Sequence, residues 1–373
     1  MRKCLSLLLA LCLLLSLFSA CSVPKKDELP TLNEAELAVQ AKNPELFQIP
    51  APSLSNNIIG EPDVQGIGVY LPPSYFTENR EYPVLYFLPG FGDSYATFML
   101  TIKGNIKSFI DGKAANEMIL VGINGKNKLG GSFYANSSVT GNWEDFVTKD
   151  VIAYVDSNFR TVKSAEGRGL TGHSMGGSGV LNIAMHTSGI FGSVYAISPG
   201  AFDNEGFVQS PVSLKQIADL EDEYANLSNE EAKAAYESYI STMGDNFTFA
   251  YASAFAGDSS LKAPYIKTPQ IDEAEAFAQD ANWELMESGF GNIPAKLDEY
   301  KQNLLALKAF GFEYGKSDSY SWIPKGVDYL AAELKAKNIP HTFNVHEGGH
   351  GISSKRFQEV VLPFFAEQFA TRG

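Results

Sequence analysis

Two six-residue runs, Pro83–Leu88 (PVLYFL) and Met118–Ile123 (MILVGI), carry no charged or strongly polar side chain apart from one tyrosine hydroxyl. A strand with one wet face alternates in polarity, whereas a strand that is apolar on consecutive residues must be covered on both faces. Further strands are expected at Gly66–Leu71, Arg168–Thr171, Ser193–Ile197, Ala309–Tyr314 and Thr342–His346. Stretches with helical spacing fall between them, at Phe146–Asn158, Ser178–Met185, Lys325–Lys337 and Ser354–Phe369. This alternation predicts an α/β fold, a mainly parallel doubly wound sheet with helices on both sides. From about residue 202 to 306 the strand signal fades. Ser228-Asn229-Glu230-Glu231 has the spacing of a capping box ahead of AKAAYESYI, and Ile293–Ala306 is amphipathic. So long a segment is no plain loop, and a helical insertion is expected there.

The flanks are of another character. MRKCLSLLLALCLLLSLFSAC, residues 1–21, has a basic start at Arg2 and Lys3 and an apolar run from Leu5 to Phe18. That run is short for a membrane span and is followed by small residues before Cys21, a pattern that resembles a bacterial lipobox. The expectation is an exported protein lipidated at Cys21, held by that lipid alone on the outer side of the cytoplasmic membrane or in the cell envelope. Residues 22–54 are polar and read as a tether with one short helix, leaving 55–373 as the folded domain. Cys4, Cys12 and Cys21 are the only cysteines, so no disulfide, thiol nucleophile or cysteine metal site is expected beyond the leader. A formal charge of −14 offers no footprint for nucleic acid and no polybasic membrane patch. The oligomeric state is not encoded in any of these features.

Residues 168–181, RGLTGHSMGGSGVL, set Gly172-His173-Ser174-Met175-Gly176 between a predicted strand and a predicted helix. G-x-S-x-G at such a junction is the elbow that exposes a nucleophilic serine in α/β-hydrolases, with the helix N-terminus aimed at any oxyanion beside it. A serine hydroxyl needs a base. Of five histidines, His173 adjoins the serine with its ring expected to point elsewhere, His186 falls in the helix, and His341 and His346 belong to a strand. His350 lies in the loop EGGHG after Thr342–His346, where a base at the sheet's C-terminal edge belongs. Asp318, after Ala309–Tyr314, is the favoured third member, with Asp203, Asp258 and Glu313 as competitors. The N–H groups of Met175 and of Phe91, in LPGFGD, are the candidate oxyanion donors.

The runs VLYFLPGFGDS, GGSFYANSSVTGNWEDFVTKDVIAYVDSNFRTV, RGLTGHSMGGSGVLNIAMHTSGIFGSVYAISPG and FEYGKSDSYSWIPKGVDYLAAELKAKNIPHTFNVHEGGHG cover most of residues 65–365. As an ordered set they resemble the esterase D-like branch of the α/β-hydrolases, which includes feruloyl and acetyl-xylan esterases, S-formylglutathione hydrolases and mycolyltransferases. The resemblance implies Ser174, Asp318 and His350 as a catalytic triad, with Phe91 and Met175 forming the oxyanion hole. Pro89 departs from the His or Asp that relatives carry, and the insertion is longer than theirs.

The function expected is hydrolysis of an extracellular carboxylic ester, such as an acyl group on a polysaccharide, through an acyl-enzyme and without metal or organic cofactor. An acyltransferase using the same residues, and a non-catalytic lipoprotein binding a ligand in the cleft, are the rivals. Phe133, Tyr134, Asn136 and Trp143 follow the strand Met118–Ile123 and are expected at the substrate, together with the insertion.

Overall fold

Every residue of Val84–Leu88 and of Ile119–Ile123 is buried, so these runs do lie between two covering layers. The computed structural model describes residues 29–110, 117–269 and 281–370. Eight strands of one sheet are present among them. They are β1 (Glu45–Pro50), β2 (Val64–Tyr70), β3 (Val84–Leu88), β4 (Ile119–Ile123), β5 (Arg168–His173), β6 (Ser193–Ile197), β7 (Ala309–Gly315) and β8 (Thr342–His346). Their order is β1-β2-β4-β3-β5-β6-β7-β8. β2 is antiparallel to both neighbours, and β4, β3, β5, β6, β7 and β8 pair in parallel. The loops after β3, β5, β7 and β8 therefore emerge along one edge of the sheet, where parallel sheets bind their ligands.

Helices cover both faces. On one, α2 (Tyr95–Ile110) turns Met99, Ile102, Ile106 and Phe109 inward, and the C-terminal Leu362–Ala370 adds Phe365 and Phe369. On the other lie α3 (Ile152–Asn158), α4 (Met175–His186) and the helix Trp322–Ala336, through Val155, Val180, Ile183 and Leu330. Helix α3 continues a helical stretch that opens at Trp143 and passes through a π-helical segment, Phe146–Val151.

The insertion is helical as expected. It holds α5 (Leu214–Tyr224), α6 (Asn229–Met243), α7 (Phe247–Phe255), α8 (Ala281–Phe290), α9 (Ile293–Glu299) and α10 (Lys301–Leu305). Ser228 and Glu231 form the capping box of α6. The stretch read as one helix over 293–306 is two, separated at Tyr300. The core of the insertion is aromatic and includes a ring from outside it. Phe133 lies 5.3 Å from Phe247, 5.3 Å from Tyr251 and 5.7 Å from Phe290.

The tether reading needs correction. Its short helix exists as α1 (Glu34–Lys42), started by the reciprocal capping box of Asn33 and Glu36, but it is bound into the fold. The buried Glu36 carboxylate accepts hydrogen bonds from the Tyr75 hydroxyl and, at 3.3 Å, from Arg160 Nε. β1 then adds an edge strand along β2, pinned by the Asn43 side chain, which donates to Leu71 O at 2.8 Å and accepts from Leu71 N at 3.1 Å. Only Ile49 on this strand is fully buried, and prolines stand before it and at its end. Proline is tolerated on a sheet edge, where one side of the backbone lacks a partner. Ile49→Ala should therefore destabilise the protein by about 2–4 kcal/mol in urea unfolding. A change within about 0.5 kcal/mol, as for a solvated tether residue, would show that β1 does not belong to the cooperative fold.

Candidate active site

β5 ends at His173 and α4 begins at Met175, leaving Ser174 alone on the turn with φ +55° and ψ −116°. That conformation is costly for a residue with a side chain. The neighbouring glycines make it feasible. A Cβ on Gly172 would lie 2.5 Å from Gly176 O, and one on Gly176 would lie 1.9 Å from Leu88 O. The G-x-S-x-G spacing is thus a packing requirement of the turn. Ser174 N donates to Ile197 O at 2.9 Å, which ties the turn to the end of β6. The Ser174 side chain does not cap α4 and is free to point outward.

The hydroxyl finds an imidazole. Ser174 Oγ lies 2.9 Å from His350 Nε2, and His350 Nδ1 lies 2.8 Å from Asp318 Oδ2. The Asp318 side chain is wholly buried, and its other oxygen accepts from Tyr320 N at 2.8 Å. The loops bearing these groups are laced by backbone bonds from Lys316 N to His346 O, 2.8 Å, and from Ser317 N to Gly348 O, 3.0 Å. Below them the buried Glu313 of β7 binds Arg356, downstream of His350, and accepts from the Tyr195 hydroxyl at 2.9 Å. Glu313 is therefore occupied in the frame. The remaining competitors are also accounted for, since Asp203 accepts from Glu205 N at 2.8 Å and Asp258 accepts from Ser260.

His173 was expected to point elsewhere, yet it is part of this assembly. Its Nε2–H donates to His350 O at 2.7 Å, and the two rings are 4.8 Å apart. Burial first, then the neighbouring His350, pushes its pKa down to about 4. Tyr320 packs edge-on against the His350 ring, with centroids 4.8 Å apart.

Met175 and Phe91 border the same region. Met175 is the first residue of α4, so its N–H has no partner four residues back within the helix. In the loop after β3, Gly92 N donates to Gly130 O at 2.9 Å and Asp93 N to Gly90 O at 3.1 Å, while Phe91 N takes neither of these bonds. A cleft of about 690 Å³ opens over Ser174, Phe91, Met175 and His350. The insertion contributes Asp245, Phe247 and Phe290 to its walls, and the segment after Asp318 contributes Tyr320 and Trp322.

None of the four residues expected at the substrate lines this cleft, and Phe133 packs into the aromatic core of the insertion. Tyr134 is wholly buried and supports the loop after β3 from below, its hydroxyl donating to Pro89 O at 3.0 Å. Trp143 is also wholly buried, with Nε1 donating to Thr140 O at 2.8 Å. Asn136 sits on a small hairpin and exchanges hydrogen bonds with Asp145, at 3.2 Å and 3.1 Å. Position after β4 brings these residues near the right edge, but their side chains serve the core and the hairpin. The aromatic walls come instead from Tyr320 and Trp322, two and four residues past Asp318, a signal present in the sequence. Phe247 and Phe290 carried no comparable signal. Cys21 lies outside the described residues. No helix among the described residues is long and apolar enough to cross a membrane.

A family model described as "Putative esterase" matches residues 62–284, more than half of the chain. Over 171 residues the chain is 34% identical to Esterase Rv1288 of Mycobacterium tuberculosis (strain ATCC 25618 / H37Rv), covering 44% of this chain and 33% of that protein. The chain thus spans about a third of the length of the curated relatives it matches, at 33%. Among solved structures, a ferulic acid esterase superposes with a TM-score of 0.56 at 17% identity, over 87% of this chain and 98% of that one. FphF, a fluorophosphonate-binding serine hydrolase of Staphylococcus aureus, gives 0.54 at 15% identity, over 87% and 98%. An S-formylglutathione hydrolase from Agrobacterium tumefaciens gives 0.54 at 18%, over 87% and 94%. These likenesses establish the α/β-hydrolase fold.

The buried His173 yields a pH prediction. Its folded pKa of about 4 lies below the ordinary imidazole value of 6.5, so within that window the unfolded chain binds a proton that the folded one refuses. Its contribution is intact above pH 6.5 and is lost as pH falls toward about 4, with a slope of at most ~1.4 kcal/mol per pH unit. Urea unfolding across that range should show the decline, and His173→Asn should flatten it. An unchanged slope in the variant would mean that His173 is not the group responsible.

Proposed function

The chain belongs to the esterase family whose model it matches, and from that premise we propose that it hydrolyses carboxylic esters through Ser174. One observation carries the reading, the unbroken line from Ser174 Oγ to His350 at 2.9 Å and from His350 to Asp318 at 2.8 Å. Ser174 attacks the ester carbonyl while His350 Nε2 takes its proton. The N–H groups of Met175 and Phe91 stabilise the tetrahedral oxyanion, aided by the N-terminus of α4. His350 returns the proton to the leaving alcohol, and water then attacks the acyl-enzyme by the same route. Asp318 keeps the imidazole in the tautomer with Nδ1 protonated and steadies the imidazolium. His173 positions this base through its carbonyl. No cofactor enters the scheme.

The reading extends to location. Residues 1–21 direct export, Cys21 takes a lipid, and the enzyme works on esters outside the cytoplasm, where acyl groups on polysaccharide are one source. The aromatic cleft walls support a bulky substrate, and the fold shared with a ferulic acid esterase is consistent with one.

Ser174→Ala should lower p-nitrophenyl acetate turnover by at least roughly 10³-fold and abolish labelling by a fluorophosphonate probe. Asp318→Asn should lower turnover by roughly 10³–10⁴-fold with an unchanged unfolding midpoint, because the wrong tautomer is then favoured. Full turnover in Ser174→Ala would overturn the assignment. Transfer to an added alcohol that outpaces hydrolysis would make the enzyme an acyltransferase.

Cys21→Ser should move the protein from the membrane fraction to the soluble fraction while esterase activity persists. Continued membrane association of that variant would refute lipid anchoring at this cysteine.

A further inference from the structure

The charge of the cleft is one-sided. Its lining includes two carboxylates, Asp93 and Asp245, and neither lysine nor arginine. Asp245 is answered from outside the cleft by Lys126, whose Nζ stands 2.7 Å from its Oδ2. Asp93 has no such partner among the described residues, for no hydrogen bond or ion pair reaches its carboxylate there. Nor is it remote from the chemistry. A Cβ placed on Gly90 would lie 2.8 Å from Asp93 Oδ2, 3.3 Å from His173 Nδ1 and 3.4 Å from Ser174 Cβ. The carboxylate and the nucleophile thus share one face of Gly90, on the loop that carries the Phe91 N–H.

We infer that the cleft selects esters bearing an ammonium group close to the scissile carbonyl, aminoacyl esters, and that Asp93 is the residue that selects them. The inference rests on the esterase reading and adds a substrate class to it. The Asp93 carboxylate is exposed at the mouth of the cleft, where a surface charge attracts a cation and repels an anion. The walls act in the same direction. Phe91, Phe247, Tyr320 and Trp322 line the cleft, and aromatic faces attract ammonium groups through their quadrupole. At longer range the formal charge of −14 draws cationic substrates toward the protein and slows the approach of anionic ones. An acyl group carrying a carboxylate would meet Asp93 with no cation in the lining to offset it.

Three ethyl esters that share one α-branched acyl skeleton vary the charge at a single position. Ethyl alaninate carries an ammonium group, ethyl isobutyrate a methyl group, and monoethyl methylmalonate a carboxylate at the same position. With the wild-type protein at pH 7 and low salt, kcat/KM from ethanol release should fall in that order, with at least about a 30-fold span between cation and anion. Asp93→Asn should compress that span to about threefold, and 0.5 M NaCl should narrow it in the wild type, so the proposal remains testable if the variant folds poorly. Equal rates for the three esters, or preference for the carboxylate, would overturn the inference while leaving the esterase reading in place. A span that Asp93→Asn leaves intact would overturn the role of Asp93. Failure to hydrolyse p-nitrophenyl acetate and all three esters would instead remove the esterase reading, and this inference with it.

Discussion

The turn at Ser174 is the constraint on which the remaining geometry depends. A non-glycine residue at φ +55° carries an intrinsic penalty of order 1–3 kcal/mol, which persists only where the surroundings over-determine it. Here they do. Gly172 and Gly176 admit Leu88 and the first turn of α4 at distances that any side chain would forbid, and the end of β6 holds Ser174 N. α4 is buried along nearly its whole length, so its packing offsets the strain. Once the turn is fixed, the hydroxyl has one outward direction, and the loops after β3, β7 and β8 are arranged around it.

Those loops are rigid for a reason visible in their backbones. Asp318 and His350 follow adjacent parallel strands, and two N–H···O bonds join their loops directly. The Glu313–Arg356 pair fastens the strand before Asp318 to the segment beyond His350. His173 closes the ring by holding the His350 carbonyl. A serine, an aspartate and a histidine far apart in sequence thereby become one hydrogen-bonded unit.

Much of this was legible in the chain. Consecutive apolar residues announced the interior strands because burial on both faces leaves no room for a polar position. The residues after those strands announced Ser174, Asp318 and His350, since in a parallel sheet chain position fixes the edge at which a loop emerges. Side-chain direction within such a loop is a different matter. Tyr134 and Trp143 leave the correct edge and turn inward, because the space beside Gly125 and Gly179 and the carbonyl of Thr140 receive them. β1 was obscured by its prolines and by having one fully buried side chain, so neither alternation nor continuous burial marked it. Helix α2 has Met99, Ile102, Ile106 and Phe109 at helical spacing, a signal interrupted by Gly104. The cleft faces of Phe247 and Phe290 depend on how the insertion folds back, which no local pattern records.

The insertion also meets the loop after β3 through a bridging segment. Lys126 pairs with Asp245, Asn246 N donates to Leu129 O at 2.9 Å, and Gly130 O receives Gly92 N at 2.9 Å. The helices that shape the cleft are therefore mechanically continuous with the backbone that presents the Phe91 N–H. A scaffold whose recognition element stood apart from its reaction centre would let one be exchanged without disturbing the other. This one does not have that modularity. Grafting a foreign insertion between β6 and β7 would also remove the tie that steadies the proposed oxyanion donor, so new specificity would evolve fastest by substitution within the existing helices.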